Sequence, residues 1–196
     1  MPKFTASVTD ENVWPDISAF FSQLGGQAGL LRIGDPSRSE CRYNRERRRE
    51  ASQQWFSDGT KFTDGTGWLD GMMPTAGHLT APAERGDTFV LIGGLLQSTL
   101  GALRSGDLIE FRPNGIADGV PRLHEIVRQA NTDADGKTGI QFRPALRAGL
   151  AAGDMVVLEY PTSVFHLIDD GQGEIEITPP LLANFGFSLV EAIENV

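Results

Sequence analysis

Hydrophobic and polar residues alternate from the outset. Phe4, Ala6 and Val8 are separated by Thr5, Ser7 and Thr9, the period of two expected of a strand with one buried face. The period then changes: Ile17, Phe20, Phe21 and Leu24 fall at i, i+3, i+4 and i+7, behind Pro15 and ahead of Gly25-Gly26. Proline suits a first helical turn and glycine a helix stop, so the spacing predicts a helix whose apolar stripe lies on a sheet. Burying each of those large side chains contributes about 1.5–3 kcal/mol before the entropy of ordering is set against it. A strand over 28–33 is expected next, giving strand, helix, strand.

From Asp35 to Gly77 the chain turns polar, rich in Gly, Asp and Thr, and carries the run Arg42-Tyr43-Asn44-Arg45-Glu46-Arg47-Arg48-Arg49-Glu50. Loops are expected here, with one short helix over 45–54 and a little core from Trp55, Phe56, Phe62 and Trp68. Connections of this length in a compact domain are usually functional or interfacial. Beyond it the pattern reads as short strands at 88–92, 107–112, 122–129, 137–142 and 155–160, with Asp133-Ala134-Asp135-Gly136 turning between two of them. Five strands without a helical period between them predict a closed or nearly closed barrel of about 75 residues. Three further strands are expected at 164–168, 174–178 and 185–193.

Composition narrows the function classes. The chain has 196 residues, with 17 Lys and Arg against 26 Asp and Glu, for a net charge of -9. Clamping of nucleic-acid phosphates is therefore not its main business. A single cysteine, Cys41, excludes an internal disulfide framework or a cysteine-based zinc site, as suits a reducing cytoplasm. The longest nearly apolar run, 89–96, is far short of a bilayer span, and the opening Met1-Pro2-Lys3-Phe4-Thr5 carries no hydrophobic signal region, so neither membrane insertion nor export is expected. The 23 Gly and 11 Pro favour turns and short strands over long helices. After Arg147 there is no Lys or Arg, while Asp154, Glu159, Asp169, Asp170, Glu174, Glu176, Glu191 and Glu194 are acidic. That segment faces solvent or meets the arginine run, in the same chain or on a neighbouring subunit.

No catalytic constellation emerges. Asn131 to Gly136 opens like a calcium loop, but the twelfth position, where a bidentate carboxylate is required, is Phe142; a hairpin turn is the better reading. Glu174 and Glu176 share one strand face about 6.6 Å apart, a spacing that resembles a glycosidase pair. They alternate with Ile175 and Ile177, as a solvated strand face does. His78, His124 and His166 are scattered, and HExxH, GxSxG, Walker and GxGxxG motifs are missing. Arginines around Cys41 are able to lower a thiol pKa, yet no base partner is evident, and a plain free thiol is the better account. No catalytic, cofactor-binding or metal-ligating residue is assigned.

The order of segments resembles a known family. The opening strand, the helix containing Trp14-Pro15-Asp16-Ile17-Ser18-Ala19-Phe20-Phe21, the glycine stop and Leu30-Leu31-Arg32-Ile33-Gly34-Asp35-Pro36-Ser37-Arg38 resemble the start of the belt domain of distal tail proteins. These occur in phages with long non-contractile tails and in related gene transfer agents. Arg104-Ser105-Gly106-Asp107-Leu108-Ile109, Leu123-His124-Glu125-Ile126-Val127, the turn 133–136 and Phe142-Arg143-Pro144-Ala145-Leu146-Arg147 resemble their inserted small barrel. Val164-Phe165-His166-Leu167 and Phe187-Ser188-Leu189-Val190-Glu191 are similar to their closing strands. The arginine run departs from the pattern.

The resemblance implies a mainly β fold: a discontinuous belt-like β-sandwich with one helix, formed by 1–87 and 163–196, and an inserted OB-like barrel at 88–162. It implies a structural virion protein at the tail tip, made in the host cytoplasm. Six copies would form a ring joining the tail tube protein to the tail-tip hub protein, near the tape measure protein, with DNA passing through unbound. Arg42, Arg45, Arg47, Arg48 and Arg49 are then expected to meet acids of an adjacent subunit, and Asp169, Asp170, Glu174 and Glu176 to line the channel or that interface. A carbohydrate-binding module for host-surface attachment is the alternative, since exposed Trp55, Trp68 and Tyr160 would stack on sugar rings. A hydrolase using Glu174 and Glu176 comes third.

Overall fold

A computed structural model describes residues 3–8, 19–20, 22–25, 28–51, 72–113, 122–168, 175–178 and 182–192. The strands are β1 (Lys3–Val8), β2 (Leu31–Ile33), β3 (Ala76–Leu79), β4 (Phe89–Gly93), β5 (Leu108–Arg112), β6 (Arg122–Ile126), β7 (Thr138–Arg143), β8 (Met155–Val157), β9 (Ser163–Leu167), β10 (Ile175–Thr178) and β11 (Leu182–Glu191). A helix, α1 (Arg42–Ala51), lies between β2 and β3. The described fold is mainly β. It divides into two compact units, one made of Met1–Ile33 and Ser163–Val196, the other of Gly34–Thr162.

In the first unit a five-stranded sheet is organised around β11. The first strand of the chain pairs antiparallel with the last, Lys3 opposite Ser188 and Val8 opposite Ala183. On the other edge of β11 lies β10, with Ile175 opposite Phe185. The end of β11 continues onto β9, Leu189 opposite Leu167, and β9 onto β2, Phe165 opposite Leu31. Pairing β1 with β11 supplies hydrogen-bond partners to two strands that would otherwise present open edges. The core here is small: Leu31, Leu167 and Leu189, with Leu24, Ile33 and Phe165 packed against them.

Two expectations for this unit are corrected. The strand predicted over 28–33 begins only at Leu31, because a Cβ on Gly29 would sit 2.0 Å from the Leu24 carbonyl oxygen; so close a passage is open to glycine alone. Residues 19–20 and 22–24 are helical as the periodicity predicts, but the stripe is not wholly buried: Leu24 reaches the core while Phe20 stays 50 % exposed. Ile17 and Phe21 lie outside the described residues.

The second unit holds a closed antiparallel barrel of six strands in the order β3-β4-β7-β6-β5-β8. An OB-fold has five strands and is partly open, so the barrel differs from that expectation by one strand and by its closure. The extra strand is β3, pairing with β4 at His78 opposite Gly93 and with β8 at Gly77 opposite Val156. Its sequence, Ala76-Gly77-His78-Leu79, carries too little apolar alternation to announce a strand. A Cβ at Gly77 would lie 2.7 Å from the Gly93 carbonyl oxygen, so the smallest residue is what lets the sheet close there. The unit therefore begins well before the 87/88 boundary drawn from sequence: β3 and α1 belong with the barrel.

Inside the barrel, alternation does what a half-buried strand requires. In β4, Val90 and Ile92 are buried while Phe89 and Leu91 face out; in β7, Ile140 and Phe142 are buried. His124 enters this core edge-on to Phe111 and Phe142, with ring centroids 5.0 Å away in both cases. Its Nδ1 lies 2.8 Å from the Pro144 carbonyl oxygen; a carbonyl can only accept, so Nδ1 carries the proton. The sixth strand, expected to run to 160, stops at Val157. Tyr160 adopts φ +52°, a left-handed conformation that no extended strand contains.

Candidate functional site

The arginine run forms α1, and the barrel dictates where it starts. Its first residue, Arg42, donates its backbone N–H to Asp107 Oδ1 at 3.0 Å. Asp107, buried beside β5, also accepts the Arg104 N–H at 2.7 Å through Oδ2. One carboxylate thus serves a barrel turn and satisfies a helix N-terminus that lacks intrahelical partners. Sequence reasoning begins the helix at Arg45 because this cap comes from a distant part of the chain and leaves no local signal.

The helix is held along its length. Asn44 is 3 % exposed; its Oδ1 accepts the Met73 N–H at 2.7 Å and its Nδ2 donates to the Met73 carbonyl at 3.1 Å. Cys41 and Met73 are buried in the barrel's hydrophobic core, with Tyr43 packed against it. Burial pushes the Cys41 thiol up to about 11, so its arginine neighbours do not activate it. Glu46 receives both terminal nitrogens of Arg104, at 2.6 and 2.7 Å, and that hydrogen bonding lowers its pKa.

These contacts assign partners to the arginines expected at a subunit interface. Arg48 bonds Glu40 at 2.8 Å and Glu159 at 2.9 Å, while Arg42 contacts the Ser105 carbonyl and, at 3.4 Å, Asp107. Arg45 donates to the Ser37 carbonyl at 2.7 Å. Arg47 is half-buried on the helix, and Arg49 is exposed. Arg42 and Arg48 therefore find acids in their own chain. Along the exposed side, Arg42, Arg45, Glu46 and Arg49 line a cleft of about 330 Å³.

The expected acidic partners fare differently. Asp169, Asp170 and Glu174 lie outside the described residues, as do Trp55 and Trp68. Glu176 sits in β10 opposite Asn184. Residues 131–136 form a turn: Asp133 Oδ1 accepts the Asp135 and Lys137 N–H groups at 2.9 and 2.8 Å. The turn glycine, Gly136, has φ +71°, and a Cβ there would lie 2.2 Å from the Leu95 carbonyl oxygen. Among the described residues no group of three or more His, Cys, Asp or Glu could hold a metal ion, and no helix is long and apolar enough to cross a membrane.

Two features escaped sequence reasoning. Glu110 is fully buried in β5; it pairs with Arg112 through both carboxylate oxygens and accepts the Thr162 N–H and hydroxyl at 2.8 and 2.9 Å. A lone glutamate in an apolar strand pattern gives no hint of such partners. Tyr160, 70 % exposed, borders a pocket of about 280 Å³ with Asp35, Pro36 and Pro161. No family model matches the chain, and no curated protein does.

Proposed function

We propose that the chain is a distal tail protein: a structural virion component whose copies form a ring between tail tube and tail-tip hub, with DNA passing through without sticking. One observation carries the reading. The first and last strands of the chain pair with each other, β1 on β11, and the barrel unit is inserted between them in sequence. That is the organisation the segment order resembles, with the first unit as the belt-like sandwich and the second as the projecting barrel.

Physical requirements of such a ring support it. Six-fold closure needs heterologous contacts on each copy, and the first unit exposes Phe20 and Leu30 at 50 % and 46 %, apolar surface suited to burial by a neighbour. A channel for DNA must withhold the cation contacts that drive non-specific binding, and a charge of -9 per copy does so. Negative-stain imaging of the purified chain tests the reading: six-fold rings support it, and uniformly small single particles overturn it.

A second reading, saccharide binding, is favoured by Tyr160 alone. Its ring stands in solvent beside two prolines and the Asp35 carboxylate, a surface able to stack on a sugar. Glycan-array binding that disappears in Tyr160→Ala would support it.

A further inference from the structure

Of the structure's charged surfaces, the exposed side of α1 is the most one-sided. Arg42, Arg45 and Arg49 stand three and four residues apart, so they rise from a single helix face, and together with Glu46 they enclose the cleft of about 330 Å³. The one acid in this cleft is already matched, because Glu46 is held bidentately by Arg104. Arg45's bond to the Ser37 carbonyl engages one of a guanidinium's five N–H donors. The cleft thus presents concentrated positive charge on a chain whose net charge is -9. Its shape and donors suit planar carboxylates, which arginine binds in a fork.

We infer that this cleft docks the acidic stretch 169–176 of a second copy of the chain. Charge complementarity names the occupant. That stretch carries Asp169, Asp170, Glu174 and Glu176, and no Lys or Arg follows Arg147. Other acids of the same region are engaged in their own chain: Asp154 accepts the Ala151 N–H, Glu159 pairs with Arg48, and Glu191 accepts the Ser163 hydroxyl. The inference rests on the ring proposal for its partner and deepens it, dividing the arginine run into Arg48, which ties α1 to its own unit, and Arg42, Arg45 and Arg49, which face outward. Docking of a basic cleft on an acidic stretch of an identical chain is heterologous, the type of contact that closes rings.

Sedimentation velocity of the full chain at low and high salt tests this, using Arg45→Glu/Arg49→Glu, Asp169→Arg/Asp170→Arg, and the four changes combined. Both arginines are exposed and their replacement leaves the barrel core untouched, which circular dichroism verifies. Each double variant is expected to weaken self-association at least about tenfold at low salt, and the combination to restore most of it. Wild-type rings that survive Arg45→Glu/Arg49→Glu unchanged overturn the docking and leave the ring proposal standing. Wild-type copies that pair without forming rings, and separate on charge reversal, support the docking and overturn the ring. A chain that stays monomeric at every salt concentration overturns both.

Discussion

Asn44→Ala removes a side chain that behaves as a piece of backbone. Its amide satisfies both the N–H and the carbonyl of Met73, at 2.7 and 3.1 Å, with Asn44 and Met73 each 3 % exposed. Alanine leaves both Met73 groups buried and without that partner, and each such group costs about 1–3 kcal/mol. Taking the lower half of that range twice, about 3 kcal/mol of stability should be lost. With a urea slope of about 2 kcal/mol/M, usual for small proteins, the midpoint falls by about 1.5 M. The assay is urea unfolding followed by far-ultraviolet circular dichroism, with hydrogen exchange reporting whether α1 loses protection ahead of the barrel strands. Arg49→Ala, an exposed change on the same helix, serves as control. A midpoint shift below about 0.3 M for Asn44→Ala, equivalent to about 0.6 kcal/mol on the same slope, would refute the idea that this amide fastens α1 to the barrel.

Three further outcomes are expected. Glu110→Ala strands the Arg112 guanidinium and removes the acceptor for Thr162; breaking a buried pair of this kind costs about 3–5 kcal/mol, so thermal unfolding should shift down by several degrees or the chain should fail to fold, and a wild-type melting profile would contradict it. Cys41, buried and with its thiol raised to about 11, should resist Ellman's reagent in the native chain at pH 8 and react at once in urea; rapid native labelling would count against its placement. Asp35 accepts from the Ser37 hydroxyl and N–H and from Arg38, which lowers its pKa from 3.8 to about 2. A depressed carboxylate pKa means stability that is present above about pH 4 and lost as pH falls toward 2; an Asp35 carboxyl resonance titrating near 3.8 in the folded chain would remove that contribution.

The sequence made the alternating strands readable and left the polar anchors hidden, for a physical reason. Strands β4, β5, β6 and β7 announce themselves because each has one buried face and period two, and the turn at 133–136 because its residues have local turn chemistry. By contrast β3 owes its existence to closure of the barrel and to Gly77 fitting against Gly93, neither of which is local. The start of α1 is legible only with Asp107 in place. Arginines at 42–49 read as an interface patch because a charge run says nothing about which acids the fold will bring to it; Glu40 and Glu159 are brought to Arg48, and Glu46 to Arg104.

The pairing of head and tail strands matters functionally only if copies of the resulting unit associate around an axis. The mass of the purified chain by multi-angle light scattering at micromolar concentration measures that directly. A closed assembly near six times the 21.2 kDa chain, insensitive to dilution, is the outcome the ring proposal requires. A species of 21.2 kDa persisting at all concentrations would contradict it.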